Sequence, residues 1–161
     1  MRKLDIKNSK GFTIIEVLIV LAIAGLILIV VLLAVPALQR NSRNTTMKND
    51  ASAIAGGINE YSSNNNGSLP NTVSGTGTIT IDGSGTDTSA TVQGTTQVST
   101  APANTNPSTA GAPPAGTIVV YKGFTCTGGP STRAVAVVYS TENSSNNPQK
   151  QCLDTEIVSY S

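Results

Sequence analysis

The residues of this chain that could carry chemistry are few, and one of them lies where a charge is costly. Glu16 is the only charged residue between Phe12 and Leu38, a run whose other members are apolar or small apart from Thr13. A carboxylate inside a membrane-length helix is expensive unless a partner satisfies it. No residue of the same helix offers an evident partner. The chemistry expected of Glu16 is therefore electrostatic pairing.

Side chains that commonly perform catalysis or bind metals are scarce. The chain has no His, which removes the commonest general base and metal ligand. Asp82 and Asp87 lie in a glycine-rich segment, but a calcium site needs more oxygen donors of fixed geometry. No Walker-type loop, zinc-ligand spacing or calcium loop is found. We predict that the protein is not an enzyme, has no catalytic residues and holds neither a cofactor nor a metal.

Charge is distributed unevenly along the chain. Arg2, Lys3, Lys7 and Lys10 precede the apolar run and are opposed only by Asp5. Such a bias predicts a cytoplasmic N-terminus and an exported C-terminal part. From residue 40 onward the basic and acidic residues nearly balance and form no basic cluster. Direct nucleic-acid binding is therefore not predicted.

Three interpretations of the N-terminal segment compete. A cleaved secretory signal peptide has a shorter apolar region and a small-residue cleavage site, neither of which is present here. A plain membrane anchor fits the length, because about 20 apolar residues span a bilayer. That second interpretation does not explain the presence of Glu16 or the abrupt junction of Lys10, Gly11 and Phe12.

The third interpretation is cleavage between Gly11 and Phe12. The new α-amine of Phe12 would be a cation, and Glu16 follows four residues later on the same helix face. In a packed assembly, the Glu16 carboxylate of one copy would meet the Phe12 amine of another copy. Removing one partner from a buried pair costs about 3–5 kcal/mol. Glu16 is thus predicted to set the register between subunits.

The leader, Gly11 and the following Phe12-Thr13-Ile14-Ile15-Glu16 resemble the prepilin-type signal of the type IV pilin and pseudopilin family. The resemblance implies cleavage after Gly11 by a prepilin peptidase, N-methylation of Phe12 and a registration role for Glu16. It implies a pilin-like α+β fold, in which a long N-terminal helix packs on a small antiparallel sheet. Implied partners are other copies of the chain, the peptidase, the membrane before assembly, and the pilus assembly platform with its ATPase machinery.

The long helix is predicted in two halves. Residues 12–39 form the membrane-spanning and polymerisation half behind a leader of residues 1–11. Gly25 and Pro36 are predicted kink positions, because Pro36 lacks an N–H and clashes with the preceding turn. Residues 40–62 form an amphipathic half that ends near Ser62. Its apolar stripe runs through Met47, Ala51, Ile54, Ala55, Ile58 and Tyr61, with Lys48, Asp50, Asn59 and Glu60 off the stripe.

The rest of the chain is predicted as a variable region followed by a sheet. Residues 63–116 are rich in Ser, Thr and Gly and are predicted as a loop region with possible short strands at 78–81, 91–93 and 97–99. Residues 117–161 are predicted as an antiparallel sheet, and the strands of this region are expected at 116–122, 133–140 and 153–160. Cys126 and Cys152 are expected outside these strands. In an exported domain they are predicted to form a disulfide.

The function predicted from this pattern is a structural prepilin of a type IV pilus or a pilus-like filament. It would be a single-pass membrane protein before assembly and a cell-surface filament afterwards. Two alternatives stay open. One is a minor or competence pseudopilin for DNA uptake or secretion. The other is a surface protein that is anchored in the membrane by one helix and never polymerises.

Overall fold

The computed structural model describes residues 11–83, 85–145 and 147–156. Within these ranges the chain forms one helix and seven strands, and it divides into two compact units at the boundary between Leu38 and Gln39. The predicted α+β class is confirmed, with a long helix and a mostly antiparallel sheet. The elements are α1 (Ile14–Asn64), β1 (Thr72–Thr76), β2 (Thr78–Asp82), β3 (Thr88–Thr91), β4 (Gln97–Thr100), β5 (Thr117–Phe124), β6 (Pro130–Glu142) and β7 (Pro148–Glu156).

The N-terminal part of α1 is an apolar helix whose side chains are exposed. Every large apolar residue from Phe12 to Leu38 is exposed, and this stretch is long and apolar enough to cross a membrane. In lipid a segment must pair all its backbone groups internally, which a helix does. The helix continues through Gly25 and Pro36 without interruption. A kink at either residue stays a prediction.

The C-terminal part of α1 is amphipathic, and its apolar stripe is buried against the sheet. All six residues predicted for the stripe are buried. The helix ends at Asn64, two residues beyond the predicted end. Asn66 and Gly67 then adopt left-handed backbone angles, with φ of 54° and 79°. The Gly67 N–H donates to the Ser62 carbonyl at 2.7 Å, which satisfies a carbonyl of the last turn.

The seven strands form one sheet in the order β3-β2-β1-β4-β5-β6-β7. The three C-terminal strands pair antiparallel, as predicted, and so do β1 with β2, β4 with β1, and β2 with β3. One pairing differs, because β4 and β5 run parallel from Gln97 beside Thr117 to Thr100 beside Val120. A parallel pair needs a crossover connection of a dozen or more residues. Residues 101–116 supply it.

Four strands of the sheet lie within residues 63–116, the region that was predicted as a loop region with possible short strands. The short strands expected at 78–81 and 97–99 are confirmed as β2 and β4. The one expected at 91–93 was misplaced, since β3 ends at Thr91. Alternate residues of these strands, such as Val73, Ile79 and Ile81, are fully or almost fully buried. Because side chains of a strand alternate between the two faces of the sheet, a few apolar residues at alternate positions are enough to pack each strand against α1.

The C-terminal strands are longer or differently placed than predicted. The expected strand at 133–140 is observed as Pro130–Glu142. The strand expected at 153–160 begins earlier, at Pro148, and residues 157–160 lie outside the described residues. Cys152 consequently lies inside β7, opposite Val138, and the expectation that it precedes the strand was wrong. The start of β7 was not predicted because Gln149, Lys150 and Gln151 are polar and have low strand propensity, which an exposed strand at the edge of the sheet tolerates.

The sheet has a second, smaller apolar cluster on the face opposite α1. Tyr121, Ala136 and Val138 are buried there, with Ala101 and Ala110 packed on them. The proline-rich segment 101–116 thus covers this face instead of projecting into solvent. Its position is fixed by Lys150 on β7, whose ammonium donates to the backbone carbonyls of Pro107, Ser108 and Ala110 at 3.0, 3.1 and 2.9 Å.

Candidate cleavage and assembly site

The Glu16 carboxylate is held by Thr13, the residue directly before α1. One carboxylate oxygen accepts from the Thr13 backbone N–H at 2.9 Å and from the Thr13 hydroxyl at 2.7 Å. In return, the Glu16 backbone N–H points at the Thr13 hydroxyl at 3.4 Å. This is a capping box, in which a Thr and a Glu three residues later satisfy the free N–H groups of the first helical turn.

The capping box corrects the expectation that Glu16 has no partner near its own helix. The sequence does contain the signal of a capping box, because Thr13 is followed three residues later by Glu16 at the start of an apolar run. The capping box was not predicted, because only an opposite charge was considered as a partner for the Glu16 carboxylate. In a single copy, a hydroxyl and an amide satisfy the carboxylate instead of a cation.

Gly11 and Phe12 lie in non-helical backbone immediately before the capping box. The Phe12 side chain is 88% exposed. A backbone outside a helix has no intrahelical hydrogen bonds to break before it is drawn into a protease site. The Gly11–Phe12 peptide is therefore accessible, and the Thr13–Glu16 pair marks the point at which the helix begins.

The surface around Glu16 is apolar. Glu16 lies at a shallow depression whose other lining residues are all apolar: Phe12, Val17, Ile19, Val20 and Leu21. Glu16 is exposed at this depression, so a charged donor brought to it can reach the carboxylate. The arrangement can therefore accept a cation from a neighbouring molecule.

A second carboxylate of α1, Asp50, was misjudged from the sequence. It was placed off the apolar stripe, but it is buried, with 5% of its surface exposed. It accepts from the Thr96 hydroxyl at 2.6 Å and from the Gln93 backbone N–H at 3.2 Å. Because a buried charge must be hydrogen-bonded, Asp50 fastens the turn between β3 and β4 to the helix. The stripe pattern alone carried no signal for this contact.

The first turns of α1 beyond the boundary at Leu38 are tied to the end of β6. The Asn44 side-chain amide donates to the Glu142 carbonyl at 2.9 Å and accepts from the Glu142 N–H at 2.8 Å. Arg43 adds an ion pair to the Glu142 carboxylate at 2.6 Å. The Asn44 side chain therefore pairs with both backbone groups of Glu142, as a neighbouring strand would.

Cys126 and Cys152 form a disulfide in the structure, with their Cα atoms 5.7 Å apart. The bond joins β7 to the loop after β5, and the Cys126 backbone N–H donates to the Asp154 carboxylate at 2.5 Å. Both cysteines are half-buried and pack beside the Tyr121 cluster. The bond is placed as a structural cross-link and not in the Cys-x-x-Cys arrangement of thiol-redox enzymes.

Comparison with known proteins gives one match. The family model described as the prokaryotic N-terminal methylation motif matches residues 6–32. No curated protein and no solved structure has a significant match to this chain. The matched residues include Gly11, Phe12 and the Thr13–Glu16 pair, and the apolar helix behind them fits a protein anchored in a membrane before any assembly. Residues 6–32 of this chain therefore carry the prepilin motif of type IV pilin-like proteins, which are structural proteins.

Proposed function

We propose that this protein is the precursor of a structural subunit of a type IV pilus or a pilus-like filament. A prepilin peptidase cuts it after Gly11, the new N-terminus at Phe12 is methylated, and residues 12–38 anchor the subunit in the membrane. The subunit then polymerises through those residues with the help of the pilus platform and its ATPase. The domain from residue 39 onward is displayed at the cell surface.

The observation that supports this proposal most is the placement of the Thr13–Glu16 capping box directly behind an exposed, non-helical Gly11–Phe12 peptide. A membrane anchor needs neither feature. A precursor needs both, because the peptide must be reachable and the carboxylate must be satisfied while no neighbouring subunit is present.

Polymerisation gives the apolar helix and Glu16 a second environment. The exposed side chains from Phe12 to Leu38 leave the lipid and pack against the same segment of other copies. Cleavage creates the α-amine of Phe12, which is a better partner for a carboxylate than a hydroxyl because it carries a charge. Glu16 then exchanges its contact with Thr13 for the amine of a neighbour, which selects one register.

A pair of substitutions tests the role of Glu16. Glu16→Ala should leave the chain in the membrane and abolish or strongly reduce filaments, as seen by electron microscopy of the cell surface. Glu60→Ala is the matched control, because Glu60 is an exposed carboxylate on the same helix. Normal filaments from Glu16→Ala would refute the pairing mechanism.

The same cells distinguish the rival functions. A chain that keeps its N-terminus uncut and stays monomeric in the membrane is an anchored surface protein, and the proposal is then wrong. A chain that is cut but is recovered only in trace amounts within filaments of another subunit is a minor pilin or a pseudopilin.

A further inference from the structure

Strands β1 to β4 present a surface of hydroxyl groups on the side of the sheet opposite α1. Their buried residues, such as Val73, Ile79 and Val98, point to the helix, and the residues between them are exposed. All but two of the outward positions carry a hydroxyl. We call this surface the hydroxyl face, and its members are Thr72, Ser74, Thr76, Thr78, Thr80, Ser89, Thr91 and Ser99, all of them exposed.

The strand register arranges the hydroxyl face in rows. Thr91, Thr78 and Thr76 lie side by side on β3, β2 and β1. Ser89, Thr80 and Ser74 form the next row. Neighbouring strands are about 4.8 Å apart, and the rows are separated by two residues, or about 6.8 Å. The hydroxyls therefore form a regular two-dimensional array.

These hydroxyls are available to an external partner. Among the residues in the described ranges, Thr72 donates to the Asp82 carboxylate, and the other seven members of the hydroxyl face make no side-chain hydrogen bond to another side chain or backbone group. Each free hydroxyl offers one donor and two acceptor positions. The surface can both give and receive hydrogen bonds at every point of the array.

The charge of the hydroxyl face restricts the chemistry of its partner. Within the described part of β1 to β4 there is no Lys or Arg. The acidic side chains beside the array are Asp82, which accepts from Thr72, and the exposed Asp87 directly before β3, both at one end of it. Nucleic acid and anionic lipid would require basic residues. The core of a protein interface would require aromatic or aliphatic side chains. An uncharged, polyhydroxylated partner matches the array in both charge and hydrogen-bonding capacity.

We infer that the hydroxyl face docks onto neutral polysaccharide. The contact of one copy is weak, because each hydrogen bond replaces one made to water. Useful binding requires many copies in a row, which raises the effective concentration of the second and later contacts. A filament supplies that multiplicity, so the biological use of the surface rests on the proposed function, whereas the binding itself does not.

The experiment uses the full chain at high density in phosphatidylcholine vesicles, so that many copies act together without a filament. The vesicles are mixed with two neutral glucans, cross-linked dextran beads and microcrystalline cellulose, and with a charged bead of the same size. Thr78→Val with Thr80→Val removes two central hydroxyls of the array and keeps the shape of the side chains. Thr95→Val with Thr132→Val is the matched control, because both threonines are exposed and lie outside the array.

The wild type and the control should bind at least one neutral glucan, in a manner insensitive to salt. The array variant should lose roughly tenfold or more in apparent affinity, because two hydrogen bonds are lost per copy. Equal thermal unfolding of the two variants excludes misfolding as the cause. The inference is overturned by no binding to either glucan, by equal binding of the array variant, by binding that salt abolishes, or by a mass showing sugars already attached to these hydroxyls. Failure of filament formation would show separately, by microscopy, and would leave this result standing.

Discussion

The Thr13 hydroxyl donates to the Glu16 carboxylate across 2.7 Å, and the Thr13 backbone N–H donates to the same oxygen across 2.9 Å. The two residues thereby close the first turn of a 51-residue helix. The pair satisfies a carboxylate that would otherwise be unpaired in an apolar helix. It also leaves Gly11 and Phe12 outside the helix, where both residues are exposed.

Thr13→Ala should loosen the first turn of α1, whereas Thr13→Ser should preserve it. The loss of an N-cap hydroxyl costs about 1 kcal/mol, which corresponds to roughly fivefold faster opening of the turn. The opening is measured by hydrogen exchange of the Glu16 and Val17 backbone amides, which donate to the Thr13 hydroxyl and carbonyl, on the full chain in detergent micelles. Exchange that is equally fast in the Ser and Ala variants would contradict the capping role of the hydroxyl.

Asp50→Ala should destabilise the domain from residue 39 onward. The change leaves the Thr96 hydroxyl and the Gln93 N–H without their acceptor, which costs about 1–3 kcal/mol for a buried site. Asp50→Asn should cost less, because it keeps one acceptor oxygen. Urea unfolding followed by circular dichroism measures both. Asn59→Ala, an exposed change on the same helix, is the control, and an equal effect from it would refute the role of Asp50.

The case of Asp50 shows what the sequence can and cannot predict in this chain. Apolar periodicity predicted the buried stripe of α1, because burial of that stripe dominates the packing of a helix on a sheet. It placed Asp50 off the stripe and gave no sign of its burial, because the contact that buries the carboxylate comes from a turn 43 residues away in the chain. Long-range hydrogen bonds of this kind leave no local pattern.

The sheet was under-predicted for a related reason. Strands β1, β3 and β4 each contain one buried apolar or Ala residue among polar ones, so their hydrophobic signal is weak. They are stabilised by pairing with neighbours, which sequence periodicity does not report. The residues at the candidate cleavage and assembly site, in contrast, form one contiguous motif, which the sequence shows without any tertiary contact.

Asn44→Ala should destabilise this domain more than Glu142→Gln. The Asn44 amide makes two hydrogen bonds to the Glu142 backbone, and their loss should cost about 1–3 kcal/mol. The Arg43–Glu142 ion pair involves an Arg side chain that is 54% exposed, and such pairs contribute about 0–1 kcal/mol. Denaturant unfolding of the two variants decides the order. A larger loss from Glu142→Gln would assign the contact to the ion pair.

Removal of the disulfide should lower the free energy of unfolding without changing the fold. Cys126 and Cys152 are 26 residues apart in the chain, and a cross-link of this length stabilises by roughly 3–4 kcal/mol in the chain-entropy model. Cys126→Ser with Cys152→Ser should therefore unfold at lower urea concentration and become insensitive to a dithiol reductant. A wild-type domain whose unfolding is unaffected by the reductant would contradict a stabilising role for the bond.

Alkaline pH should destabilise the domain through its buried tyrosines. Burial raises the pKa of the Tyr121 and Tyr139 phenols above the ordinary value. In the unfolded chain these phenols lose their protons at about pH 10, and the folded chain resists that loss. Stability is therefore complete below about pH 10 and falls as the pH rises from there to the folded pKa. Unfolding titrations at several pH values should show a smaller fall for Tyr121→Phe and Tyr139→Phe, and an unchanged fall would contradict the assignment.

The most direct test of the whole account is the N-terminus of the chain recovered from surface filaments. Intact-mass analysis with N-terminal fragmentation reads the first residue and its modification in one measurement. The account predicts a chain that begins at an N-methylated Phe12. A chain that still begins at Met1, or filaments that do not contain this chain, would contradict it.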